Sequence, residues 1–205
     1  MKTNPKKTRD YHHGELRPAL LRAAVELVNE RGDGSFGLRD LASRVGVSHP
    51  ALYRHFADRA ALFHAVAIEG FSLYAKTQQM VMSSSPDDPE EQLIRLGRNH
   101  LTFALEHPGY FRVMFGAQIG EHKLADESLN KVARPTLEII ATVASAFGKP
   151  EPLDFALCLW SSVHGIALLG LNGQLTFFSK TTTESVHALA EQSARYMIAG
   201  YKASV

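Results

Sequence analysis

The stretch from residue 38 to 55, LRDLASRVGVSHPALYRH, limits what this chain can fold into more than any other segment. Two short helices that cross closely over a tight turn need a small residue at the crossing, and Ala42 stands there. Four residues on, the turn favours a residue that tolerates positive φ, and Gly46 supplies it. Ser48 is placed to cap the second helix and Pro50 fits its first turn. Leu41, Val45, Val47 and Leu52 give the pair an apolar inner side. The spacing predicts a helix-turn-helix; an ordinary helical hairpin with a glycine turn is the plainer alternative. In a helix-turn-helix the remaining side chains of the second helix point outward. His49, Ala51, Tyr53, Arg54 and His55 would then lie near a DNA major groove or its phosphate rims.

Helical periodicity continues on both sides. Leu16, Ala19, Leu20, Ala23, Ala24, Leu27 and Val28 form one stripe, with a helix start between 14 and 18 and a stop at Gly32 and Gly34. Asp58 can cap a fourth helix carrying Leu62, Phe63, Val66, Phe71 and Tyr74. Residues 82–88 read as a loop and a domain boundary. Asp88-Pro89-Glu90-Glu91 starts a fifth helix, which Pro108 stops. A short aromatic helix, a loop near 116–125 and a helix kinked at Pro135 come next. Two more helices are expected over about 152–171 and 183–202. No strand-like alternation of any length occurs, so the expected fold is all-α with about nine helices.

Charge is unevenly placed. The net +1 of the 205 residues divides into +4 over residues 1–60 and −3 over the rest, and residues 1–11 form a basic arm. A basic head on a mildly acidic body suits a head that meets a polyanion, although chance gives such differences too. One cysteine, Cys158, excludes a disulfide framework and reads as an inert buried thiol. The Lys-rich start lacks the apolar stretch of a secretory leader, so a cytoplasmic location is expected. Residues 155–179 carry no Asp, Glu, Lys or Arg, but Ser161, Ser162, His164, Asn172 and Gln174 interrupt them; a buried helix is expected rather than a membrane span.

The stretches YHHGELRPALLRAAVELVNERG and LRDLASRVGVSHPALYRHFADRAAL resemble the N-terminal domain of TetR/AcrR-family transcriptional regulators. The likeness covers about residues 11–70. It implies an all-α homodimer whose first three helices bind operator DNA, and a helical domain over 82–205 that binds an effector and dimerises. By that resemblance Ser48, His49, Ala51, Tyr53 and His55 belong to the recognition helix. Arg39 and Arg54 are expected among the DNA contacts as well. Arg59 stands where the family usually has a phosphate-binding Lys, and a guanidinium serves phosphate at least as well. Gly37 departs from the usual Thr or Ser; Ser35 is the candidate to supply the missing hydroxyl.

In the second half, LWSSVHGIALLGL resembles the Trp-His-Gly type of TetR C-terminal domain through Trp160, His164 and Gly165. The helix over 152–171 is apolar on two faces, and a helix apolar all round must be covered all round. A partner subunit is expected to cover one face, through Leu159, Ile166 and Leu169 together with Leu189 and Met197 of the last helix. A core helix in a monomer is the alternative. His100, Phe103, Phe111, Met114, Trp160 and His164 are the candidates for an effector pocket. His100 also reads as a hydrogen-bonded core histidine, and the aromatics as plain core. With few charges nearby, a small hydrophobic effector is expected. No nucleophile elbow, Walker or dinucleotide fingerprint occurs, nor a metal-ligand spacing. No cofactor, no metal and no catalytic residue is therefore expected. The reading is a ligand-responsive repressor acting as a homodimer on double-stranded operator DNA. Its alternatives are a helical small-molecule-binding protein or enzyme without a DNA role, and a DNA-binding protein that answers to another protein.

Overall fold

Capping chemistry sets the helix boundaries. In the computed structural model, which describes residues 15–116, 126–179 and 182–203, all regular structure is helical. The basic arm, His12-His13 and most of the 116–125 loop lie outside the described residues. Helix α1 (Leu16–Arg31) holds Pro18 in its first turn and ends at Gly32 with φ 76°. Helix α2 (Leu38–Val45) ends at Gly46, φ 78°, the left-handed conformation that glycine adopts without strain. Ser48 Oγ then accepts the Ala51 N–H at 3.4 Å and starts α3 (His49–Tyr53). The Asp58 carboxylate accepts the Ala61 N–H at 2.7 Å and starts α4 (Arg59–Ser84). Asp88 does the same for α5 (Pro89–Glu106), and α6 (Pro108–Phe115) follows directly.

The remaining elements are α7 (Glu127–Ala133), α8 (Pro135–Ser145), α9 (Pro152–Leu171), a 3-10 turn (Gln174–Phe178) and α10 (Thr183–Ala203). Between α7 and α8 the backbone stays helical at Arg134, so the two are arms of one helix kinked at Pro135. Counted so, the described residues hold nine α-helices.

One boundary differs from the sequence reading. Residues 82–84, expected in a loop, complete the last turn of α4. The serine hydroxyls explain this. Ser83 and Ser84 donate to the Met80 carbonyl at 2.9 and 3.0 Å, and Ser85 donates to Val81 at 2.8 Å. Serines that favour turns in isolation here satisfy the orphaned carbonyls of a helix end.

The head, α1–α3 with the start of α4, packs around Leu20, Leu41, Leu52 and Phe63. The body packs α5, α8, α9 and α10 around Leu93, Leu96, Ile140, Leu159 and Ile198. Helix α4 belongs to both. Helix α6 is wedged between them and is seated by two glycines. A Cβ on Gly109 would stand 2.7 Å from the Val25 carbonyl of α1, and one on Gly70 of α4 would stand 2.7 Å from Met114 Sδ. Helix α9 is long and apolar enough to cross a bilayer, yet it packs against α5, α8 and α10. Its outer side is bare: Cys158, expected to be buried, is exposed there with Leu168 and Leu169. Residue 161 is exposed on that side as well.

Candidate nucleic-acid interface and effector cavity

The outward surface of the helix-turn-helix is built by what holds its inner side. Leu41, Ala42 and Leu52 are fully buried, which forces the alternate residues of α2 and α3 outward. His49, Tyr53 and Arg54 are exposed, Tyr53 at 52%, while Ala51 and His55 are half-buried. Arg39 and Arg59 lie exposed at the first turns of α2 and α4. Arg59 extends over the Phe63 ring at 4.9 Å, a stacked position that keeps the guanidinium edge available.

Not every cation of the head is available for phosphate. Arg44 is held by Glu30 at 2.6 and 2.7 Å and by Glu26 at 3.2 Å, fastening α2 to α1, and its hydrogen bond holds the Glu30 carboxyl below its ordinary range. Arg31 pairs with Asp40 at 3.2 Å, and Asp40 also accepts the Gly37 N–H at 3.2 Å, one half of a capping box whose other half Gly37 has no side chain to supply. The Ser35 hydroxyl and N–H bind Asp33, lowering that carboxyl. Arg17, which the sequence did not single out, lies over the Phe56 ring at 5.4 Å, just beyond the recognition helix. Nothing in the helical stripe of α1 distinguishes it; only the fold brings it to Phe56.

In the body, six residues were expected to line one pocket. Four of them, His100, Phe103, Phe111 and Met114, are instead buried core, and His164, half-buried, packs against them. Gln78 Nε2 donates to the Thr136 carbonyl at 2.9 Å and to the Tyr74 hydroxyl at 3.3 Å. That leaves the Tyr74 proton for His100 Nδ1 at 2.9 Å, and so directs His100 Nε2–H to His164 Nδ1 at 3.2 Å. Burial pushes the His100 ring down to about pKa 3, and the neighbouring His164 adds to the shift. Phe111 stacks on His164 at 5.1 Å, Phe103 packs on Tyr74 at 5.0 Å, and Met114 fills the notch at Gly70. Aromatic rings in contact on all sides leave no space for a ligand.

The cavity lies one layer further out. It measures about 1060 Å³, and Trp160 is the one residue of the six that lines it. Its other apolar walls include Phe71 of α4, Phe115 of α6, Leu129 of α7, Leu137 of α8 and Leu153 of α9. The one signal of it in the sequence is the apolar spacing of Leu129, Ala133, Leu137 and Ala141. Thr136, a cavity residue, is also the carbonyl end of the Gln78–Tyr74–His100–His164 chain.

Residues 20–66 match the bacterial regulatory proteins of the tetR family, and residues 93–193 match the tetracyclin repressor-like C-terminal domain. The chain belongs to the TetR family. Its members are transcriptional regulators and not enzymes, and the N-terminal domain is their DNA-binding part. The chain is 34% identical over 127 residues to the nucleoid occlusion factor SlmA of Marinobacter nauticus, covering 62% of this chain and 63% of that one. It is 33% identical over 107 residues to the class A tetracycline repressor of Escherichia coli, covering 52% and 48%. The chain thus spans less than two thirds of the length of these curated relatives. In fold, it matches a protein of unknown function from Rhodococcus sp. RHA1 with a TM-score of 0.77 at 24% identity, over 95% of this chain and 99% of the other.

Among the TetR-type body helices, the residues expected at a subunit interface separate. Leu159 is buried against Leu93, Leu96 and Ile140 of its own core and cannot reach a partner. Ile166, Leu189 and Met197 are half-buried and pack on the same subunit's core. Leu169 is 41% exposed. Cys158, Ser161 and Leu168 of α9 and Gln192 and Tyr196 of the neighbouring α10 are exposed as well. Ser162 and Ser193 join the two helices at 2.6 Å under this face.

Proposed function

We propose that this TetR-family chain is a ligand-responsive repressor that acts in the cytoplasm as a homodimer on a two-fold symmetric operator. The observation that carries the reading is the composition of the cavity wall. Phe71 of α4 and Phe115 of α6 both line it. Helix α4 starts in the head with Arg59, and α6 is seated on α1 at Gly109. A small hydrophobic molecule in the cavity thus bears on both elements that touch the head. A ligand acts only through its different affinity for two states, here two spacings of the recognition helices. Those helices must stand about 34–36 Å apart to enter successive major grooves. The bare apolar side of α9 beside α10 supports the dimer, since two such helices from each subunit make a four-helix interface. Arg39, Ser48, His49, Ala51, Tyr53, Arg54, His55 and Arg59 are the proposed DNA contacts.

A side chain can stand in for the effector. Ala141 lines the cavity, and Ala141→Phe fills part of it. Affinity for duplex DNA from upstream of the chain's own gene is then expected to fall about tenfold or more, with non-specific binding unchanged. Fluorescence anisotropy of labelled duplexes measures both. Equal operator affinity in a folded Ala141→Phe protein contradicts the link between cavity and head.

A further inference from the structure

The polar groups of the cavity define the charge of what it takes. Two ionisable side chains line it among the described residues, Arg134 and Glu138, one helical turn apart. They are bonded to each other, Arg134 Nε to Glu138 Oε1, so the pair presents no net charge to a ligand. Their position at the rim, with side chains 78% and 48% exposed, leaves the inner walls apolar. The hydroxyls have given up their protons as well. Thr136 donates to the Ala133 carbonyl at 2.6 Å, Thr142 to Glu138 at 2.8 Å, and Ser145 to Thr142 at 2.7 Å. They keep only acceptor lone pairs. The Asn130 amide is different. It lines the cavity and makes no hydrogen bond to another described residue, so it offers both a donor and an acceptor.

We propose that the cavity selects an uncharged amphiphile: an apolar body against Phe71, Phe115 and Trp160, and one neutral hydrogen-bonding head, an alcohol or amide, on Asn130. The inference rests on the reading of this cavity as the effector site. A carboxylate entering here loses water and meets no free cation; an ammonium meets no free anion. An alcohol donates to Asn130 Oδ1, accepts from Nδ2 and leaves no charge unpaired. The self-paired Arg134 and Glu138 are therefore specificity residues by cancellation, and removing one uncovers the other.

Trp160 is the sole tryptophan of the chain and lines the cavity, so its emission reports occupancy without a label. The probes are 1-decanol, decanoate and decylammonium, equal in chain length and different in charge, titrated near neutral pH below their micelle concentrations. The expected result is a saturable change in Trp160 emission with decanol at a dissociation constant at least about tenfold below those of both ions. Asn130→Leu is expected to weaken decanol about fivefold. Arg134→Ala is expected to move the preference toward decylammonium, and Glu138→Ala toward decanoate. Both changes sit at the exposed rim, and circular dichroism checks that the fold is kept. Decanoate or decylammonium binding the unaltered protein as tightly as decanol overturns the proposal while keeping the cavity as a ligand site. No response of Trp160 to any of the three overturns the cavity reading itself, and this proposal with it.

Discussion

Arg59 and Tyr53 are expected to carry different parts of DNA recognition, and their variants separate the two. Arg59, exposed at the first turn of α4, is placed for a phosphate; Arg59→Ala should weaken binding on all sequences and lower the salt slope by about one unit. Tyr53, exposed on α3, is placed at the groove; Tyr53→Ala should cost about 1–3 kcal/mol on the operator and little on random DNA. A salt series of anisotropy titrations on both DNAs checks each, and unchanged affinities in both variants contradict the placement. His100 makes a prediction of another kind. Its ring protonates near pH 3 in the fold and near 6.5 in a free chain. Between those values the unfolded chain binds the extra proton, so stability falls as pH drops below about 6.5, by at most about 1.4 kcal/mol per unit. Urea unfolding at pH 7 and pH 5 should show a loss of about 1–2 kcal/mol from this group, reduced in His100→Gln. An identical pH dependence in the two proteins contradicts the buried neutral ring. At this scale the sequence was most legible where a residue acts on its own backbone. Gly46, Ser48, Asp58 and Asp88 each do what local rules assign them. Cys158 was misread because apolar neighbours in sequence are not neighbours in space once they lie on different sides of a helix.

Among the elements, α6 and α9 are those on which the proposed communication and the proposed assembly rest. The α6 seat allows a single test of the contact between body and head. A methyl at Gly109 has backbone on one side, the Val25 carbonyl at 2.7 Å, and cannot be accommodated by a rotamer change. Gly109→Ala is therefore expected to destabilise the protein by about 1–3 kcal/mol, measured as a lower urea midpoint. An unshifted midpoint contradicts the tight seat. On α9, Leu169→Glu puts a charge on the bare face without touching the core. Light scattering should then find the dimer weakened or lost, at a cost of several kcal/mol of association energy. A 22.6 kDa monomer for the unaltered chain at micromolar concentration contradicts the dimer outright. Helix existence and order were readable from periodicity and capping alone. The cavity was not. Periodicity states that Phe103, Phe111 and Met114 face inward, but only packing decides whether the space between inward residues is filled. Here the Tyr74–His100–His164 chain and its rings fill it, and the void falls between α7, α8 and α9 instead.

For the whole molecule, the basic head and the acidic body divide the work. Most of the net positive charge of residues 1–60 lies in the arm, at Lys2, Lys6, Lys7 and Arg9, and within the head Arg31 and Arg44 spend theirs on Asp40, Glu26 and Glu30 to brace the helix-turn-helix. Among the described residues of the head, Arg39, Arg54 and Arg59 stand exposed for DNA, with Arg17 over the Phe56 ring. A single head presents one short recognition helix, and the proposed two-fold operator needs two, arranged by the proposed dimer of α9 and α10. Hydroxyl-radical footprinting of the DNA upstream of the chain's own gene tests this arrangement most directly. The account predicts two protected patches on one face of the duplex, related by a dyad, with centres one helical turn of about 34–36 Å or a multiple apart. A single asymmetric patch, or no protection at a concentration where the protein is folded, would contradict it.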